Sequence, residues 1–436
     1  MSERSSIDSA FVLHAAGALT EAEIAYRRIL AADPRHTEAR HYLGVLLHQR
    51  GQTPEGIALI LGALERDAGS ASRHNDLGNI LVQSGELDDA AAAFRRALDL
   101  NGKDANVWNN FASVLHRQEK FADAESAYRA ALDCDANFVP ALSNLATLLS
   151  DAGREEESSL FACLAFIQSP LVGKQPRMLG IAHYRLVRIS DAAECYRAWL
   201  RAEPDNAIAR HYLAACTGED VPARAPDGFV STHFDDMAEG FDAKLVGKLC
   251  YRGPEIVAGL LRGQLAADGT LDVLDGGCGT GLCAAVLVPY ARHLTGVDLS
   301  SGMLAKADAR HLYDELVAAE LTAYLRQRSK AFDLIVMADT VIYFGDLTAL
   351  FAAVGEALRP GGAFAFTVET VSEAPPLPAG YRLNPSGRYG HSHPYVAQAL
   401  AAAGFALRRS DNVVLRSEFG KPTHGLGALA YAMPRR

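Results

Sequence analysis

Small and bulky apolar positions recur along the first half of the chain with a spacing of 34 residues. One series of small residues runs Ala10, Gly44, Gly78, Ala112, Ala146, Gly180 and Ala214, and a second runs Ala22, Gly56, Ala90, Ala124, Ser158 and Ala192. A bulky series follows at Tyr26, Ile60, Phe94, Tyr128 and Tyr196, with Ala162 breaking it. Pro34, Ala68, Gly102, Ala136, Pro170 and Pro204 keep the same phase, each after Asp, Asn, Ser or Glu. This pattern predicts repeated helix–turn–helix units: small residues let paired helices approach, the bulky residue fills the space between them, and the proline or turn residue stops the second helix. One pair cannot bury its own apolar face, so the units stack into an all-α solenoid. The phase holds over residues 1–216, six repeats and a last helix from Ile208 to Cys216.

The helical period stops at residues 217–229, where Pro222 and Pro226 with Gly218 and Gly228 read as a linker. From 230 to 436 short apolar runs alternate with helical stretches. Strands are expected at Leu271–Asp275, His293–Asp298, Phe332–Ala338, Gly362–Thr370, Val413–Leu415 and Leu426–Ala432. Helices are expected at Leu282–Tyr290, Gly302–Ala309, Leu347–Leu358 and Pro394–Ala403. Alternation of this kind predicts an α/β domain with a mainly parallel sheet covered on both faces, and a ligand site beyond the C-terminal strand ends.

The stretch Val273-Leu274-Asp275-Gly276-Gly277-Cys278-Gly279-Thr280-Gly281 carries the chemistry. An apolar strand ends in an acid and turns through closely spaced glycines, and Val297-Asp298 ends the next strand. Bare backbone at such a turn lets a compact ligand approach, and an acid at the second strand end accepts hydrogen bonds from ribose hydroxyls. A dinucleotide fingerprint would put Gly or Ala where Leu282 stands, which disfavours an NAD-dependent oxidoreductase. Asp298 also suits a plain helix N-cap, with Ser300-Ser301 following.

The first half resembles tetratricopeptide (TPR) repeats, best at Asn75-Asp76-Leu77-Gly78, Ala93-Phe94 and Ala97-Leu98. That resemblance implies a groove for a protein partner, with Asn75, Asn109, Asn110 and Asn144 as groove positions or simply as solvated polar residues. The glycine stretch resembles the first motif of class I S-adenosylmethionine-dependent methyltransferases, a Rossmann-like fold. Gly296-Val297-Asp298-Leu299-Ser300 with Met303, Phe332–Asp339, and Leu358–Phe364 resemble later motifs of that family, in order. The resemblance implies that Asp275, Gly277, Cys278, Gly279, Gly281, Asp298, Leu299, Met303, Glu320, Leu321 and Ala338 hold S-adenosyl-L-methionine, with Asp298 on the ribose and Met303 against the adenine. Gly276, where many members carry a larger apolar residue, is expected to loosen the turn slightly. The two halves together resemble a bacterial group of TPR methyltransferases, in which Phe234–Asp242 forms a lid and Ser386–Ser392 is typical.

Methyl transfer from a sulfonium needs alignment and exclusion of water, with a general base when the nucleophile is a hydroxyl or a protonated amine. Tyr343, His391 and Glu369 are the candidates for acceptor contact, with Asp339 a further acid after the fourth strand. Each has a structural alternative: a packed aromatic, a loop histidine, an ion-pair partner for Arg388 or Arg416, and a helix cap. Arg388 and Arg416 also suit a carboxylate or phosphate on the acceptor. The insert Val371–Pro385, with Pro375, Pro376 and Pro378, is expected to cover the acceptor site.

A net charge of −10, with only the isolated basic pairs Arg27-Arg28 and Arg435-Arg436, gives no general attraction for nucleic acid. The segment Ala338-Asp339-Thr340-Val341 also lacks the Asn/Asp-Pro-Pro-Tyr/Phe run of nucleic-acid methyltransferases. The N-terminus lacks the apolar stretch of a secretory signal and no run is long enough for a membrane span. Seven scattered cysteines without a CxxC pair fit reduced thiols in the cytoplasm, and no metal site is expected from Cys278 and Cys283. The expected activity is methylation of a small or partner-presented acceptor, with a TPR adaptor that binds cofactor without turnover as the alternative. The oligomeric state stays open.

Overall fold

Helix pairs built on the 34-residue period make up the first part of the chain. The structure is a computed structural model and describes residues 3–235, 237–371, 377, 379–418 and 420–434. By its contacts the chain forms two units, Met1–Pro170 and Leu171–Arg436. In the first unit the pairs are Glu3–Ala15 with Leu19–Ala32, Thr37–Gln49 with Thr53–Leu64, Ala71–Ser84 with Leu87–Leu100, Ala105–Arg117 with Phe121–Cys134, and Val139–Asp151 with Glu155–Gln168.

The small residues act as read from the sequence. A Cβ on Gly78 would stand 2.7 Å from the Phe94 ring, and one on Gly44 would stand 2.7 Å from the Gly56 carbonyl oxygen. Both distances are below contact, so glycine sets how closely these helices pack. At the fifth pair, where Ala162 replaces the bulky residue, the Ser158 hydroxyl donates to the Ala146 carbonyl at 2.8 Å. Along the first helices Asn110 donates to Asn79 at 3.1 Å and Asn144 donates to Asn109 at 3.0 Å. The asparagines thus bond one another across neighbouring repeats.

In the second unit the helices Pro176–Arg185, Ile189–Ala202 and Ala207–Thr217 continue the pattern. Tyr196 fills the space over Gly180, where a Cβ would lie 2.3 Å from the ring. Tyr212 and Phe229, with Tyr389 and Leu383 from the α/β part, join these helices in one buried apolar cluster.

Among the described residues the α/β part has nine strands: β1 Leu271–Gly276, β2 Ala291–Asp298, β3 Glu315–Ala318, β4 Phe332–Met337, β5 Leu358–Thr370, β6 Tyr381–Leu383, β7 Tyr389–His391, β8 Phe405–Glu418 and β9 Lys421–Ala432. The parallel order β3-β2-β1-β4-β5 reverses between β1 and β4, and β9 runs antiparallel beside β5 with β8 beyond it. Strands such as β4 are buried on both faces and pack into two clusters. One includes Ile335, Phe364 and Phe366 and the other Leu334, Val336 and Ala365.

Three local expectations change. The helix expected at Leu282–Tyr290 forms only over Ala284–Leu287, because turns occupy Leu282–Cys283 and Pro289 cannot extend it. Val413–Leu415 is the middle of a 14-residue strand. Gly276 does not loosen the turn: a Cβ there would meet Leu321 Cδ1 at 3.1 Å and Met337 Cγ at 3.3 Å, so neighbours already fill the space. The expectations that fall on Asp236, Pro375, Pro376, Pro378, Arg435 and Arg436 lie outside the described residues.

Candidate active site

The parallel sheet reverses its order between β1 and β4, and a cavity opens beyond their C-terminal ends. Chain reversal there requires left-handed backbone: φ is +74° at Gly277, +55° at Gly279 and +82° at Gly281. The bend is tied to β2 by Gly277 and Cys278, whose N–H groups both donate to the Val297 carbonyl. It is tied to the segment after β4 by Thr340, whose hydroxyl donates to the Gly276 carbonyl at 2.9 Å. A Cβ on Gly277 would lie 2.3 Å from Thr340 Oγ1. Gly277→Ala combines positive φ with that overlap, so a loss of ~2–4 kcal/mol is expected in urea melts, together with loss of cofactor binding. A variant as stable as wild type would show that the bend tolerates a side chain.

Asp298 ends β2 and holds the bend from the side. Its Oδ2 accepts from Gly279 N–H at 2.9 Å and its Oδ1 from Ser300 N–H at 2.9 Å. Burial raises its pKa, while the N–H donors of Ser300, Gly279 and Leu299 oppose the rise. The helix N-cap is Ser300, which accepts from Met303 N–H at 3.0 Å, so capping does not occupy Asp298. Asp275 is buried behind the bend and accepts from the Tyr313 hydroxyl at 2.7 Å. Burial pushes its carboxyl up to about 7, with the Tyr313 hydrogen bond pulling the other way.

Of the residues expected at the cofactor, Asp275, Gly277, Cys278, Gly279, Asp298, Leu299, Met303, Glu320, Leu321 and Ala338 line the cavity. Gly281 does not. It serves the bend instead, since a Cβ there would meet the Tyr313 ring at 3.0 Å. Glu320 caps the helix Leu321–Arg326, accepting from Thr322 and Ala323 N–H at 3.1 and 2.7 Å. Cys278 and Cys283 are buried free thiols. Among the described residues no group of three or more His, Cys, Asp or Glu is placed to hold a metal ion.

The three candidates for acceptor contact separate. Tyr343 lines the cavity, and burial pushes its hydroxyl up. Glu369 and His391 are not among the cavity-lining residues. Glu369 is consumed by ion pairs with Arg388 and Arg416. His391 is fully buried on β7, with Nε2 at 2.9 Å from the Phe344 carbonyl oxygen. The glycine-rich stretch around it is a short strand pair, not an open loop, which is why the histidine turns inward. Burial lowers the His391 pKa to about 4, with the Phe344 and Gly345 carbonyls opposing. An unfolded chain binds this proton near pH 6.5 and the folded one does not, so stability is full above pH 6.5 and falls as pH drops toward 4. About 2 kcal/mol is expected to be lost from this residue by pH 5. His391→Gln should flatten that part of the pH–stability profile in urea melts, and an unchanged slope would contradict the burial.

The resemblance placed a lid at Phe234–Asp242, and the wall supplied from before β1 extends beyond it to residues that sequence reasoning missed. Phe234, Met237, Phe241 and Tyr251 face the cavity, with His233 and Arg224. The Ser300 hydroxyl donates to Asp235 at 2.5 Å, while Arg310 donates to the Thr280 carbonyl at 2.6 Å and pairs with Asp242. Aromatic residues between acids that reach the bend are a legible signal only once the bend itself is placed.

The fit to the cofactor rests on the shape and donors of this cavity. It offers exposed main chain at the bend, a carboxylate at the neighbouring strand end and an apolar shelf at Met303 and Leu321. These suit a zwitterionic tail, a ribose and an adenine respectively. A family model described as a methyltransferase domain matches residues 273–362, and one described as a tetratricopeptide repeat matches 12–71, 75–137 and 177–216. The malonyl-[acyl-carrier protein] O-methyltransferase of Pseudescherichia vulneris is 32% identical over 120 residues, 28% of this chain and 47% of that protein. The trans-aconitate 2-methyltransferase of Paracidovorax citrulli is 34% identical over 106 residues, 24% of this chain and 40% of that protein. A solved S-adenosylmethionine-dependent methyltransferase from Mesorhizobium loti has 23% identity and a TM-score of 0.32, covering 39% of this chain and 95% of its own. The chain spans about half the length or less of these two curated relatives.

Proposed function

We propose, from a chain that joins tetratricopeptide repeats to a methyltransferase domain, that it transfers a methyl group from S-adenosyl-L-methionine to a small or partner-presented acceptor. The observation that carries the reading is the Asp298 carboxylate bonded to Gly279 N–H beside a bend of three left-handed glycines. When bound, the cofactor supplies an activated methyl group on a sulfonium. The chain's own residues supply the rest. Asp298, Met303, Leu321 and the bend hold the donor. Phe234, Phe241 and Tyr251 exclude water, and Tyr343 meets the acceptor. The repeats recruit the partner or substrate, consistent with the use of such solenoids as protein-binding surfaces. Among the described residues no helix is long and apolar enough to cross a membrane.

The test is to incubate the protein with methyl-labelled S-adenosylmethionine and fractionated cell extract. Formation of S-adenosylhomocysteine with matching label in an acceptor fraction is expected. Cofactor binding with no product in any fraction would favour an adaptor without turnover.

A further inference from the structure

One wall of the cavity is ionic. Arg388, Arg416, Asp339 and Glu418 line it, and Glu369 joins them from the end of β5. Arg416 donates through Nε to Glu418 at 2.6 Å, through one terminal nitrogen to both Asp339 oxygens at 2.8 and 2.7 Å, and through the other to Glu369. Arg388 donates to Glu369 at 2.8 Å and pairs with Glu418. Two guanidiniums therefore bond three carboxylates, and the charge of Arg185 acts on Glu418 as well, so the arginines and acids of this wall balance formally.

Exposure sorts the members of this wall. The Arg416 side chain is 2% accessible and Glu369 8%, while Asp339 and Glu418 keep 18% and 21%. Arg388 also keeps 19%, but it shares its charge with two acids. The arginines are thus already neutralised by the protein. An acceptor carboxylate or phosphate would have to displace these acids from the guanidiniums, whereas an ammonium can bond the Asp339 and Glu418 oxygens that stay accessible.

Asp339 also stands beside the bend. β4 pairs with β1, and the next residue, Thr340, bonds the Gly276 carbonyl. Aromatic rings of Phe234, Phe241, Tyr251 and Tyr343 line the rest of the cavity, and their faces favour a cation with an apolar body.

We propose that the methyl acceptor is an amine with an apolar body, seated as its ammonium against Asp339 and Glu418, and that Asp339 takes its proton. The inference rests on the methyl-transfer reading above. The ammonium gives one proton to the Asp339 carboxylate. The freed nitrogen lone pair forms the N–CH3 bond as the S–CH3 bond breaks, and that bonding pair stays on sulfur as a thioether. The product nitrogen is again cationic, and Asp339 releases its proton to solvent.

The probes are 2-phenylethylamine, 2-phenylethanol and 3-phenylpropionate, titrated by calorimetry into full-length protein saturated with S-adenosylhomocysteine at pH 7. The amine is expected to bind at least ~10-fold tighter than the carboxylate. Asp339→Asn removes one of the two accessible acids, and should weaken amine binding by ~10-fold or more with S-adenosylhomocysteine affinity within about 3-fold of wild type. Carboxylate binding as tight as the amine, no amine binding, or an unchanged amine affinity in the variant overturns the proposal. If the variant does not fold, the wild-type ranking decides alone. Failure of S-adenosylhomocysteine itself to bind strikes the methyl-transfer reading instead.

Discussion

Replacing Arg416 with methionine is expected to destabilise the protein by ~3–5 kcal/mol, because it leaves buried carboxylates without their shared partner. Arg416 is almost fully buried and bonds Asp339, Glu369 and Glu418 at once. Without it Arg388 is the one remaining guanidinium bonded to these acids among the described residues, with Arg185 acting on Glu418 alone. Methionine replaces most of the apolar stem, so lost packing contributes little and the charge dominates. Two measurements separate these causes. Urea melts at pH 7 give the loss itself. Adding Glu369→Gln removes one stranded acid and is expected to restore part of it, a coupling that packing alone does not produce. A loss below about 1 kcal/mol would mean that the cluster is solvated and that the arginine is an ordinary surface pair.

Asp298→Ala is expected to weaken S-adenosylhomocysteine binding by ~100-fold or more. The carboxylate does two things at once. It accepts from Gly279 N–H and so holds the bend, and it faces the cavity where ribose hydroxyls need an acceptor. Losing an acceptor for buried donors costs ~1–3 kcal/mol each, and two such losses, ~4 kcal/mol at the middle of that range, amount to about three decades in affinity. Thermal shift offers a direct readout. The ligand should raise the melting temperature of wild type and leave that of the variant unmoved. Asp298→Asn keeps an acceptor oxygen and should fall between. Equal shifts in wild type and Asp298→Ala would remove Asp298 from the site.

Periodicity made the solenoid legible because its packing is local. Gly78 against Phe94 and Gly180 against Tyr196 repeat one contact at a constant offset, so the chain displays it without any knowledge of the fold. The bend was legible for a related reason: only glycine enters left-handed backbone freely, so a run of glycines after a strand marks the reversal. The rest depended on contacts between distant residues. His391 and Arg388 sit in one polar stretch and looked like loop residues. Pairing of β6 with β7 buries the histidine, and contact with β5 and β8 turns the arginine into an ion-pair partner. Nothing local signals that Glu369, Asp339, Glu418 and Arg416 converge, since they come from the ends of β5 and β8 and the segment after β4. Short strands such as Glu315–Ala318 escaped for want of pattern, with only four residues and none buried.

The aromatic wall shows the same limit. Phe234 and Phe241 precede β1 by some thirty residues or more, and the bonds of Asp235 to Ser300 and Gly302 and of Asp242 to Thr280 and Arg310 bring them over the cavity. From the sequence Arg388 and Arg416 suited either an anionic group on the acceptor or an ordinary surface position. Their bonding in the structure favours neither, because each already carries its counter-charges.

Calorimetric titration of the full-length protein with S-adenosylmethionine tests the central claim most directly. One molecule bound per chain, with affinity collapsing in Asp298→Ala while the variant stays folded, is the predicted result. A folded wild-type protein that gives no heat across the micromolar to millimolar range would contradict it.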